Sequence, residues 1–319
     1  MDELLRARFR RYLASLEPAG SEQVIAYLQT LHARNFAPAT LDAVTGAVKK
    51  FLLLVPASRR VLLSRNLAQT EPRDIDSFIT AARDAALAPS TINTKLSLLR
   101  EFFSFLIAEG AMARQPVLRH RHHVAAPTTL PKPMPEADLV RFFKAIDSVR
   151  DRLLFLLMLR CGLRVSEACA LAWADVDLPA LTLRVDGGKG DVDRVAYLAS
   201  DVDQSLRRWQ ARRCGSPYLF PSRKVAGAHL GRRNVFLMMK KYLREAGVTA
   251  CYSPHCLRHT FATQLLNAGV SLEVLRELMG HRSVQMTLRY AELYETTKRR
   301  QYDAAMGRIT RHVAAGSRS

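Results

Sequence analysis

HCLRHTF (residues 255–261) and LMGHRSVQMTLRYAEL (residues 278–293) are the stretches on which the reading of this chain turns. In the first, His255 and Arg258 stand three apart, so a helix would project both from one face toward one point. His259 would point about 100° away from Arg258 and reads as a structural histidine. In the second, His281 follows Gly280, and Tyr290 lies nine residues further on. Upstream, CGLRVSEACAL (residues 161–171) carries Arg164 and Glu167 just after Gly162. Gly162 reads as the end of the buried helix DRLLFLLMLRCG, which puts Arg164 near the N-terminus of the next helix. Between these islands, LTLRV and RVAYLA flank DGGKGDVD (residues 186–193), a β-hairpin signature with Lys189 on its turn.

Working outward, residues 1–110 read as all-helical. Apolar residues recur at helical spacing in SEQVIAYLQTLHARN, ATLDAVTGAVKKFLLLV, EPRDIDSFITAARDAAL and PSTINTKLSLLREFFSFLIAEG. Ser21 and Ser90 look like helix starts and Gly110 like an end. Leu98, Leu99, Phe102, Phe103, Phe105 and Leu106 supply much of the expected core. Residues 111–134 hold four prolines and a basic cluster, and read as a linker. His120, His122 and His123 lie there without a carboxylate or Cys ligand at metal spacing, so this segment is expected to lie on a phosphate backbone. Residues 135–310 form a mixed unit. EADLVRFFKAID, DRLLFLLMLRCG and RVSEACALAWADV are its first helices, then the hairpin, then VDQSLRRWQARR, GRRNVFLMMKKYLREAG, PHCLRHTFATQLLNAG, SLEVLRELMG and SVQMTLRYAELYE. TTKRRQYDAAM (residues 296–306) reads as a last short helix. The fold class is mostly α with a small β-sheet.

Composition narrows the partner. The chain has 319 residues, 48% apolar and 24% charged, as in a globular protein of two domains. Its net charge of +19 points to a polyanion, and nucleic acid is the common one. The excess is uneven: residues 1–107 hold 14 Lys+Arg against 10 Asp+Glu, and residues 108–319 hold 34 against 19. No apolar run reaches the length of a membrane span, and the N-terminal residues lack a signal-peptide core. The five cysteines include no CxxC pair and read as reduced thiols of a cytoplasmic protein. Cys251 and Cys256 beside His255 and His259 have the wrong geometry for a closed zinc site. A GK[ST] phosphate loop and a two-metal carboxylate cluster are both missing from the sequence, so no cofactor or metal is expected.

Taken together, the islands resemble the catalytic boxes of the tyrosine recombinase family, which includes phage integrases and Xer-type resolvases. That family carries an Arg within G-L-R-x-S-E, a Lys on a β-turn, H-x-x-R, a His after L-x-G, and a Tyr nine residues beyond. Arg164, Lys189, His255, Arg258, His281 and Tyr290 fill these positions in order. Each box alone is weak; the set is specific, and the likeness covers about residues 20–305. It implies a helical, SAM-like core-binding domain over 1–110 and a catalytic domain over 135–310, clamping double-stranded DNA from opposite sides. It also implies a homotetramer or heterotetramer on synapsed recombination sites, with residues 296–310 docking on a neighbouring subunit. One departure is Tyr290–Ala291–Glu292, where Xer-type proteins usually carry a His two residues after the tyrosine. It tilts the reading from chromosome or plasmid dimer resolution toward integration or transposition of a mobile element. A type IB topoisomerase-like enzyme and a catalytically silent DNA-binding protein are the other classes considered.

The chemistry fits such a set. Attack on a phosphodiester builds charge on the non-bridging oxygens, and two guanidiniums, Arg164 and Arg258, would clamp them. The Tyr290 phenol needs cations and a base to become a nucleophile. His255 would accept its proton or help pass it along. In the family the turn lysine protonates the leaving 5′ oxygen, which makes Lys189 the candidate acid. His281 would donate a hydrogen bond to the phosphate. Glu167 would act from behind, holding His255 or Arg164. The bland alternatives are a core aromatic at Tyr290, an i,i+3 surface pair at Arg164 and Glu167, an ordinary turn lysine, and structural histidines. Tyr294 and Tyr302 are rival nucleophiles, and only the spacing from His281 selects Tyr290.

Overall fold

The computed structural model describes residues 3, 7, 9, 14, 16–126, 132–186, 193–212, 215–280, 302, 303 and 306. The chain divides into two compact units, Met1–Thr128 and Thr129–Ser319. Among the described residues no helix is long and apolar enough to cross a membrane.

The first unit is built from α1 (Pro18–Ala33), α2 (Pro38–Leu54), α3 (Ala57–Arg65), α4 (Pro72–Asp84) and α5 (Pro89–Ala108), followed by a single turn, α6 (Arg119–His122). Four of these helices start on proline at or next to the first helical position. Proline lacks an N–H that would be unpaired there and has the right φ already set. So α1 and α5 start at Pro18 and Pro89, not at Ser21 and Ser90 as expected. In α4, Asp74 accepts the Glu71 N–H at 2.8 Å and also holds Arg59 Nε at 2.7 Å. The core is aromatic: Phe51, Phe78, Phe102 and Phe103 are fully enclosed and stack edge-on or tilted.

The stretch expected as a linker packs in part on this unit. Met112 and Val117 join its core. The Asn93 side-chain amide pairs with both backbone groups of Val124, at 2.7 and 3.0 Å. His122 is buried, not laid out for phosphate: its Nδ1 accepts the Leu118 N–H at 2.9 Å, and its Nε2 lies 3.2 Å from Asp76, which also pairs with Arg121.

In the second unit, α7 (Glu136–Lys144) and α8 (Val149–Arg160) are followed by α9 (Val165–Ala170), a three-stranded antiparallel sheet, and α10 (Ser200–Gln210), α11 (Arg232–Glu245), α12 (His255–Asn267) and α13 (Leu272–Met279). Every residue of α8 from Leu153 to Leu159 is buried, the mark of a helix enclosed on all sides. α9, α10 and α12 pack around it. The sheet runs β1 (Val176–Asp177), β2 (Thr182–Val185), β3 (Arg194–Tyr197), with Val185 paired to Arg194 at the base of the hairpin. The helix expected through Val176 is shorter. It stops at Ala170 because Leu171 and Trp173 pair with the 217–219 backbone, and Val176 pairs with Leu183. Tertiary pairing overrides local helix preference there.

Candidate active site

Three of the expected site residues meet where α8 ends and α12 begins. The chain leaves α8 through Gly162 at φ +61°, a left-handed turn that L side chains rarely adopt. A Cβ at Gly162 would stand 2.5 Å from the Phe261 ring of α12, so the two helices come this close only over a glycine. The turn delivers Arg164 to the first turn of α9 as its N-cap.

Arg258 sits one turn into α12 and is 4% exposed. Its Nη1 donates to the Gly162 carbonyl, and its Nη2 donates to the Met279 carbonyl at 2.6 Å. Those carbonyls lie just beyond α8 and at the end of α13, where helix dipoles favour a cation. The guanidinium therefore binds three helices together at one point.

Arg164 is held by Glu167 in two ways. Its Nη1 donates to Oε1 at 2.7 Å and its backbone N–H to Oε2 at 2.8 Å. Of the two partners left open by the sequence, Arg164 is one the structure supplies. The other partner was not foreseen: Arg194 at the start of β3 donates from Nη2 to Oε2 at 2.7 Å and from Nη1 to Oε1 at 3.2 Å. Burial pushes the Glu167 carboxyl up, but the Arg194 hydrogen bonds and charge and the Arg164 contacts outweigh it, bringing the group down to about 2. It is a fixed anion between two cations.

His255 opens α12 on the exposed side. Partial desolvation, then the Arg258 and Arg164 charges, lower its pKa. This favours the neutral imidazole, the form that accepts a proton. Behind it, the Thr260 hydroxyl accepts the Met134 N–H and donates to the Cys256 carbonyl, each at 2.8 Å. This ties the chain entering the unit to α12. Lys189, His281, Tyr290 and Tyr294, and most of residues 296–310, lie outside the described residues. Tyr302 is described and exposed.

Such an arrangement, two anchored guanidiniums beside a neutral histidine, is suited to an anionic, phosphate-like centre. The model of the phage integrase family matches residues 132–297 and that of the phage integrase N-terminal SAM-like domain matches 57–110, and the chain belongs to this family of tyrosine recombinases. Among its relatives, tyrosine recombinase XerC of Xanthomonas campestris is 33% identical over 257 residues, 79% of each chain. Tyrosine recombinase XerA of Pyrococcus horikoshii is 33% identical over 230 residues, 71% of this chain and 76% of that one. The fold matches the Tn1549 transposon integrase in complex with a circular intermediate DNA, at TM-score 0.66 and 20% identity, covering 84% of this chain and 94% of that one. It also matches a lambda integrase dimer bound to a core site, at TM-score 0.67 and 19% identity with the same coverage.

Proposed function

We propose that the chain cuts and rejoins double-stranded DNA at specific sites, with Tyr290 as nucleophile, Arg164 and Arg258 clamping the scissile phosphate, and His255 receiving or relaying the phenolic proton. The observation that carries this reading is the gathering of Arg164, His255 and Arg258 at one point, with both guanidiniums held by the protein's own groups. Lys189 as acid to the 5′ oxygen and His281 as phosphate donor complete the set from their motif positions. Attack on phosphorus forms a 3′-phosphotyrosine and expels the 5′ oxygen, which takes a proton from Lys189 and leaves as a 5′-hydroxyl. A 5′-hydroxyl of another strand then attacks and frees the tyrosine. The bond energy stays in the protein–DNA link, so no nucleotide is consumed. The reading includes a tetramer on two synapsed sites, in the cytoplasm, with steeply salt-dependent binding.

Mobile-element integration or transposition is the favoured role, on the strength of Glu292 where Xer-type proteins usually carry His. The second reading is Xer-type dimer resolution, favoured by the relatives named above.

The test is covalent trapping on nicked duplex DNA selected from a random-sequence library by binding to the wild-type chain, with EDTA present. Wild type should form an adduct and Tyr290→Phe none. An adduct that persists in Tyr290→Phe moves the nucleophile to Tyr294 or Tyr302. Tight binding with no adduct from wild type points to a silent DNA-binding protein. Comparing the selected sequence with the ends of a host element and with the chromosome terminus separates the two roles.

A further inference from the structure

We propose that Arg194 is a positioning residue for strand cleavage: it grips Glu167 from the sheet side and, through that carboxylate, fixes the guanidinium of Arg164. This rests on the recombinase reading above.

Three observations carry it. First, the strand turns its charge inward. Arg194 and Ala196 are buried on β3, whereas Val195 and Tyr197 are 51% and 68% exposed. A strand shaped only by apolar burial would face the other way. Second, the pair is poorly explained by stability alone. Burying a guanidinium against a carboxylate is roughly neutral beside an apolar pair of the same volume, so its use lies in orientation. Third, the carboxylate is fully engaged. Glu167 Oε1 accepts from Arg164 Nη1 and Arg194 Nη1, and Oε2 accepts from the Arg164 N–H and Arg194 Nη2. With Arg194 removed, only contacts from Arg164 itself remain among these four. The carboxylate would then lose both of its contacts from the sheet side, and the guanidinium it orients would be held less firmly. Arg194 also faces Val185 at the base of the hairpin whose intervening sequence holds Lys189. The same carboxylate thus joins the element bearing Arg164 to the element bearing the candidate acid.

The test uses the full chain and the selected nicked duplex in two forms. One has an ordinary phosphodiester at the mapped cleavage position. The other has a methylphosphonate there, in which one charged oxygen is replaced by an uncharged methyl group. Such a centre builds less negative charge and needs less of the arginine clamp. Arg194→Met should slow adduct formation on the phosphodiester by roughly 10- to 100-fold, the range for removing a group that orients a primary ligand. On the methylphosphonate its defect should be several-fold smaller, in parallel with Arg164→Ala, and Arg194→Lys should recover part of the rate. Equal slowing on both forms would mean a scaffold role only and overturn the proposal, as would a wild-type rate. Should Arg194→Met fail to fold, Glu167→Met with Arg194→Met replaces the whole pair by apolar side chains and carries the same comparison. A wild-type chain that forms no adduct on either DNA defeats the recombinase reading itself, a separate result.

Discussion

Replacing Gly162 by alanine probes the joint on which the site is assembled. At φ +61° an L residue is strained by about 1–2 kcal/mol. The new methyl would also stand 2.5 and 2.6 Å from two ring carbons of Phe261, far inside contact distance. Forcing such a group into a packed core costs about 1–3 kcal/mol as neighbours shift. Together the two effects predict a loss of about 2–5 kcal/mol from the second unit. The carbonyl that receives Arg258 moves with the turn, so cleavage should fall as well. Both tryptophans of the chain, Trp173 and Trp209, lie in this unit, so urea unfolding followed by their fluorescence reports on it selectively. A cycle with Phe261→Leu separates the two causes. In the leucine background only the backbone strain should remain, giving a coupling of about 1–3 kcal/mol. A cost below about 0.5 kcal/mol, or additivity within that margin, would refute the reasoning.

Glu167 titrates near 2 in the folded chain and near 4.5 ordinarily, so the unfolded chain takes up this proton first. The stabilisation is complete above the unfolded value and drains away as pH falls from about 4.5 to about 2, by about 3 kcal/mol. Urea midpoints across that window should fall more for wild type than for Glu167→Gln, and parallel acid limbs would contradict it. Because partial desolvation, then the Arg258 and Arg164 charges, lower the His255 pKa, its neutral form persists below the ordinary value of 6.5. The acid limb of single-turnover cleavage should therefore lie below pH 6.5 and vanish in His255→Gln; a limb at or above that value counts against His255 as proton acceptor. Arg258→Lys leaves an ammonium too compact to span the Gly162 and Met279 carbonyls. It should destabilise the second unit by about 2–4 kcal/mol in the fluorescence assay, and an unchanged midpoint would show that the clamp does not bear on folding.

Much of this architecture is legible before any coordinates. The hairpin around Lys189 announces itself because β-branched runs flank a glycine-rich turn, and strands Thr182–Val185 and Arg194–Tyr197 lie where that pattern puts them. The helix breaks at Gly110 and Gly162 are equally visible, since few residues other than glycine tolerate positive φ. The helix starts are misplaced because hydroxyl caps are weighed above proline, whereas Pro18 and Pro89 take the first helical position. The 164–176 stretch looks continuous because nothing local reveals that the 217–219 backbone comes alongside Leu171 and Trp173. Arg194 escapes notice for a related reason. Alternation along β3 favours burying Val195 and Tyr197, and the partner that draws the arginine inward stands 27 residues earlier. A charge breaking the inward face of a strand is the signal that was there to be read.

The carbonyl clamp at Arg258 bears on how descent is read in this fold. Consider a descendant that abandoned strand cleavage and survived as a DNA-binding factor. It would shed Arg258 only with difficulty, since the ends of two helices close on that guanidinium. An arginine at this position therefore testifies first to ancestry and architecture. Evidence of living chemistry must come from residues that the scaffold could spare.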